Sequence, residues 1–194
     1  MVLRRLRWAA SQLGVRPSPH LLEPGRFLVD LADLPPGWTI LDQRRWRTGQ
    51  QRDQPWAARA RVLGSVTAWR SFANPAHDRW LWAQASPLAS VEDAGHALRA
   101  VWEHRLANLR AQVRVVATED GPPLAVPAEQ VLTRQERTLG PAGDGAARYL
   151  AWSYQGVVSV LAGSSQGEPW AWEDLAALAT LQSHRIDALT GDTS

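Results

Sequence analysis

The sequence predicts an α+β fold: a mostly antiparallel sheet flanked by helices, arranged as an α/β/α sandwich. Short extended runs joined by hairpin-length turns call for antiparallel neighbours, because parallel strands need long crossovers. Two longer segments, around residues 90–109 and 169–189, repeat apolar residues at helical spacing. The runs "SVTAWRSFA" and "RWLWAQ" carry apolar side chains on both faces, as strands covered on both sides do. The expected order is an N-terminal arm over residues 1–20 and then one domain over 21–194, built as four strands, a helix, four strands and a helix.

The arm reads as a short basic amphipathic helix. Leu3, Leu6, Ala10 and Leu13 form its apolar stripe, and Pro17 and Pro19 break it from the body. A helix of this length is marginal alone, so the stripe of Leu3, Leu6 and Leu13 is expected to pack on the body, a second copy, a partner or a membrane surface. Phe27 to Leu31 reads as a strand, Pro35-Pro36-Gly37 as a turn, and Trp38 to Trp46 as a second strand. Residues 47–56 are polar and aperiodic, a loop. Residues 58–73 alternate as one long strand with Gly64 at a bulge.

After the turn Asn74 to Asp78 comes a strand in which Trp80, Trp82 and Gln84 share one face and Leu81, Ala83 and Ala85 the other. These tryptophans are expected to pack beneath a covering layer, since large aromatics mostly supply buried area. Ser90 and Asp93 have capping-box spacing, followed by the stripe Val91, Ala94, Leu98, Val101, Trp102 and Leu109; Gly95 weakens this helix by about 1 kcal/mol. Strands follow in "QVRVVATED" and around 130–138, 147–154 and 157–163, with a tight turn at Gln155-Gly156. The last helix is read from Pro169 to Leu189, its seam being Trp172, Leu175, Ala179, Gln182, Ile186 and Leu189. Gln182 should be buried and hydrogen-bonded, because a buried amide without partners is costly.

Composition bounds the chemistry. The 194 residues contain no Cys, which excludes disulfides, thiolate metal sites and lipid-modified cysteine. All 21 basic residues are Arg, and 11 Trp accompany only two Phe and two Tyr. The scarce types have AT-rich codons and the abundant ones GC-rich codons, so the Trp excess points to a GC-rich bacterial genome before it points to a ligand. With no long apolar run and no signal-peptide pattern, the expected location is cytoplasmic. Residues 1–70 hold twelve Arg against five acids, and residues 71–194 nine Arg against fourteen, so the first third is the handle for an anionic partner.

The segment "LADLPPGW" near the start, with "GVVSVLAGSSQGEPWAWEDLAALATLQSHRI" at the end, resembles the Mog1/PsbP-like proteins, particularly small actinobacterial sensor-domain and lipoprotein relatives. The resemblance covers about residues 26–189. It implies an antiparallel sheet flanked by helices and used for binding proteins or small molecules rather than for chemistry. Unlike those extracellular relatives, this chain has no lipobox and no cysteine, which favours the cytoplasmic members of the fold that serve as binding adaptors and chaperones.

No catalytic pattern is found. Glu92, His96 and His104 share a helix face, but twelve positions span about 18 Å and cannot close on one metal. Ser65 and Ser164-Ser165 lack a nucleophile elbow, and "GPAGDG" lacks phosphate-loop spacing. The chain is therefore read as a non-enzymatic, cofactor-free, protein-binding adaptor or chaperone-like module whose partner offers an acidic surface or an apolar helix, with homo-oligomerisation as a further use. The alternative is a small-ligand sensor with a pocket against the Trp face. A lesser reading is a nucleic-acid or anionic-surface binder through Arg44, Arg45, Trp46, Arg47, Arg52 and Trp56, where arginines interleave with indoles.

Overall fold

The computed structural model describes residues 23–48, 54–110, 114–140 and 143–191. The arm, with Leu3, Leu6 and Leu13, and also Arg52, lie outside the described residues. Seven strands form one antiparallel sheet: β1 (Thr39–Arg47), β2 (Val66–Asn74), β3 (Arg79–Pro87), β4 (Arg114–Asp120), β5 (Gln130–Gly140), β6 (Gly143–Tyr154) and β7 (Val157–Gln166). Their order across the sheet is β1-β2-β3-β7-β6-β5-β4. Helices α1 (Pro55–Leu63) and α2 (Val91–Arg110) cover one face, and α3 (Trp172–Gly191) the other. The α+β class and the two-sided covering are as the sequence predicts.

The alternation of β3 explains the layers. Leu81, Ala83 and Ala85 join Phe72, Leu150, Trp152, Val157 and Leu161 beneath Leu175, Ala179 and Ile186 of α3. Trp82 faces the opposite way, into a core with Trp56 and Ala60 of α1, Ala94, Leu98 and Trp102 of α2, and Val158 and Val160. Each strand thus feeds two cores through its period of two. Gln84 is tolerated on the face of Trp82, covered by α1 and α2, because its Nε2 donates to Ser86 Oγ at 3.1 Å, which also accepts from Thr67 Oγ1 at 2.9 Å.

Three sequence expectations need correction. Residues 58–73 are not one strand: Pro55 opens α1, Gly64 caps it in the left-handed region at φ 68°, and only then does β2 begin. Alternating Ala and Arg in "ARARVL" mimics a strand, yet Trp56, Ala57 and Ala60 bury one helical face. Pro at the first helical position and Gly just past the end are the start and stop signals of that helix. Phe27 to Leu31 is not a strand either; 3-10 turns at Pro24–Arg26 and Leu31–Asp33 bracket three fully buried residues.

Side chains take the place of a neighbouring strand there. Leu28 O accepts from Arg185 Nη1 at 2.5 Å, Val29 O from Arg70 Nη1 at 2.8 Å, and Val29 N donates to Gln182 Oε1 at 3.4 Å. Backbone groups of a buried segment must be satisfied somehow, and here two arginines and one amide do it. Gln182 is fully buried and bonded through its oxygen as expected, while its Nε2 has no partner. The first half therefore contributes three strands, not four. The last helix begins at Trp172, three residues after Pro169. Among the described residues no helix is long and apolar enough to cross a membrane.

Candidate functional site

The register of four adjacent strands builds a hollow on the face that α1 and α2 cover. One rung runs Ser71, Trp82, Ala162, Tyr149 across β2, β3, β7 and β6. The next runs Ala73, Trp80, Ser164, Ala147. Ala162 and Ser164 of β7 thereby lie between the two indoles of β3 and the strand β6, which brings Tyr149 and the small Ala147. The small residues form the floor and the rings the walls of a hollow of about 160 Å³.

Its walls are braced from outside. Trp69 packs against Trp82 at 6.1 Å between ring centroids and against Trp46 at 6.3 Å, so three strands share one aromatic row. Trp102 of α2 meets Tyr149 edge-on at 6.0 Å. At the rim stands Leu41, the extra residue at an irregularity in the β1–β2 register between Ile40 and Asp42; it is 59% exposed. Among the described residues no charged side chain lines the hollow; its polar lining is Ser71, Ser164 and Tyr149.

Among the described residues of the sequence-predicted Arg/Trp segment, Arg44, Arg45, Trp46, Arg47 and Trp56 are not brought to one face. Arg44 and Trp46 belong to one face of β1, whereas Arg45 and Arg47 alternate onto the other. Arg44 pairs with Asp42 at 2.9 Å and Arg45 with Glu23 at 3.0 Å, so both charges already have acids beside them. Trp56 is buried in α1 and Trp46 is half-buried in the aromatic row, leaving neither as a free stacking face. Of the two tryptophans expected beneath a covering layer, Trp82 is buried, while Trp80 is half-buried and open to the hollow. The signal that locates the hollow is the run of small residues "LAGSS" opposite "RWLW", which becomes legible only with the register in hand.

Among the described residues no cluster of three His, Asp or Glu side chains is disposed to hold a metal. The arrangement is an aromatic-walled hollow on an α+β sandwich.

The fold is similar to that of the extracellular domain of PknH from Mycobacterium tuberculosis, with a TM-score of 0.52 over 84% of this chain and 94% of that one. Identity between the two is 8%, so the likeness is one of fold. No protein-family model matches the sequence, and no curated protein matches it.

Proposed function

We propose that this chain is a non-catalytic binding domain that receives an apolar ring of a small ligand in the hollow between Trp80, Trp82 and Tyr149. The observation that carries the reading is a hollow of about 160 Å³ walled by aromatic rings, with no charge among its described lining residues. A dry apolar cavity of about 150 Å³ is enough for benzene, so one ring fits and a whole drug-sized molecule does not. The rest of such a ligand would extend over the rim at Leu41. The fold shared with an extracellular domain supports the sensor-type version of this reading as far as architecture goes.

A second reading keeps the same hollow and changes the occupant to an apolar side chain of another protein. It is favoured by Leu41, 59% exposed at the rim, which would extend a contact surface outward. Titration with single-ring probes, p-cresol and indole, followed by calorimetry and thermal shift, tests the first reading. Binding that is lost in Ala162→Leu, which fills the floor, and weakened about tenfold in Trp80→Ala supports it. Failure of both probes to bind the folded wild type overturns it.

A further inference from the structure

A second hollow opens at the same end of the sheet, on the α3 side. Here β2 ends at Asn74, a 3-10 turn carries the chain through Pro75–His77, and β3 begins at Arg79. The turn Pro35-Pro36-Gly37 stands against this end; Gly37, at φ 98°, lies where a Cβ would be 3.5 Å from the Asn74 amide. The cavity of about 350 Å³ is walled by Pro35, Pro36 and Trp38 and lined by the polar groups of Asn74, His77, Arg79 and Glu168. Its volume falls within the range of about 300–1,000 Å³ usual for small-molecule sites.

Two features mark it as built for a ligand. Asn74 is 4% exposed, and its Oδ1 is buried without a hydrogen-bond partner. A buried acceptor in that state is costly unless a donor reaches it. Arg79 has no ion-pair partner among the described residues; its guanidinium instead lies 4.8 Å over the Trp170 ring, which itself packs 5.4 Å from Trp38. A cation–π contact holds the guanidinium at the ring and uses none of its N–H donors, which are left to bind a carboxylate.

Charge narrows the ligand class. A simple anion would meet Glu168 and the unpaired oxygen of Asn74, and a simple cation would meet Arg79. Both conflicts vanish for a molecule carrying both charges. We propose that this hollow binds a free amino acid, its carboxylate held by Arg79 and His77, its ammonium by Asn74 Oδ1 and Glu168, and its side chain against Trp38 and the two prolines.

The test uses the full chain, isothermal titration calorimetry and thermal shift, with each of the common L-amino acids as probe. For any that binds, its N-acetyl derivative removes the ammonium and its carboxamide removes the carboxylate. At least one free amino acid is expected to bind, with each blocked form weakened about tenfold or more. Arg79→Gln should erase the preference for the carboxylate and Glu168→Gln that for the ammonium. Both positions are accessible enough for circular dichroism to verify folding, unlike buried Asn74. Trp80→Ala, in the other hollow, should leave this binding unchanged. The proposal is overturned if no free amino acid binds, if blocked and free forms bind alike, or if Arg79→Gln binds as the wild type does.

Discussion

Arg59 of α1 grips Asp93 of α2 with two nitrogens: Nε lies 2.8 and 2.9 Å from the carboxylate oxygens and Nη2 bonds Oδ1 as well. The carboxylate is 2% exposed and the arginine 52%, so a buried anion is reached by a half-exposed cation. That bond holds the guanidinium above its ordinary pKa. Asp93 N also donates to Ser90 Oγ at 3.0 Å, so a helix cap and a helix-to-helix clamp share one residue. Removing only the arginine strands a buried charge, which is worse than removing both partners. Arg59→Ala should therefore lower Tm by several degrees, and the Arg59→Ala/Asp93→Ala pair by less than the two single losses added. Thermal unfolding of the four proteins in that cycle checks it.

Gly163 is a packing requirement. A Cβ there would lie 2.6–2.8 Å from the ring of Trp170, a buried side chain that would have to shift. Gly163→Ala is expected to cost about 1–3 kcal/mol by overpacking. It should also weaken ligand binding beside Arg79, which rests on that ring. Urea denaturation reads the first effect and calorimetry the second.

Trp152, fully buried, donates Nε1 to Ser183 Oγ at 3.1 Å, and Ser183 Oγ donates to Pro127 O at 2.9 Å. The serine passes a hydrogen bond from sheet to loop through α3. Ser183→Ala leaves an indole N–H and a carbonyl without it, and is expected to cost about 1–3 kcal/mol in chemical denaturation. Ser183→Thr, which keeps the hydroxyl, should lose less of this hydrogen bonding.

Tyr154 sits at the β6–β7 hairpin, where its hydroxyl donates to Asp187 at 3.0 and 3.1 Å. Burial, opposed by the Gln155 hydrogen bond and aided by the nearby Asp187, raises its pKa above the ordinary 10.0. Folding thus favours the protonated phenol. The associated stability is complete below the unfolded value and fades as pH climbs through the raised folded value. Tyr154→Phe should flatten the fall in Tm above about pH 10 while losing about 1 kcal/mol at neutral pH. A Tm series from pH 7 to strongly alkaline conditions, read against the wild type, decides this.

How much of this the sequence carried depends on the length over which a pattern repeats. The α3 seam from Leu175 to Ile186, the Ser90–Asp93 cap and the Gln155-Gly156 turn were legible because each rests on neighbours a few residues apart. The two-faced strand "RWLWAQ" likewise announced a sheet covered on both sides, since strand periodicity alone assigns Trp82 and Leu81 to separate cores. The nine-residue α1 escaped because Ala-Arg alternation fits both periods over so few positions, and its Pro and Gly punctuation was the only tie-breaker.

Tertiary structure alone decided the rest. That Phe27-Leu28-Val29 needs no strand partner follows from Arg70, Gln182 and Arg185, the last two more than 150 positions away, reaching its backbone. Neither hollow is written in any one segment. The first requires β7's small residues to pair beside β3's indoles, and the second brings Trp38, Asn74, Arg79 and Glu168 to one sheet end. Local sequence sets which face a side chain occupies, because the backbone period is fixed; which residues face one another depends on strand order and register, which only the global packing of both cores selects.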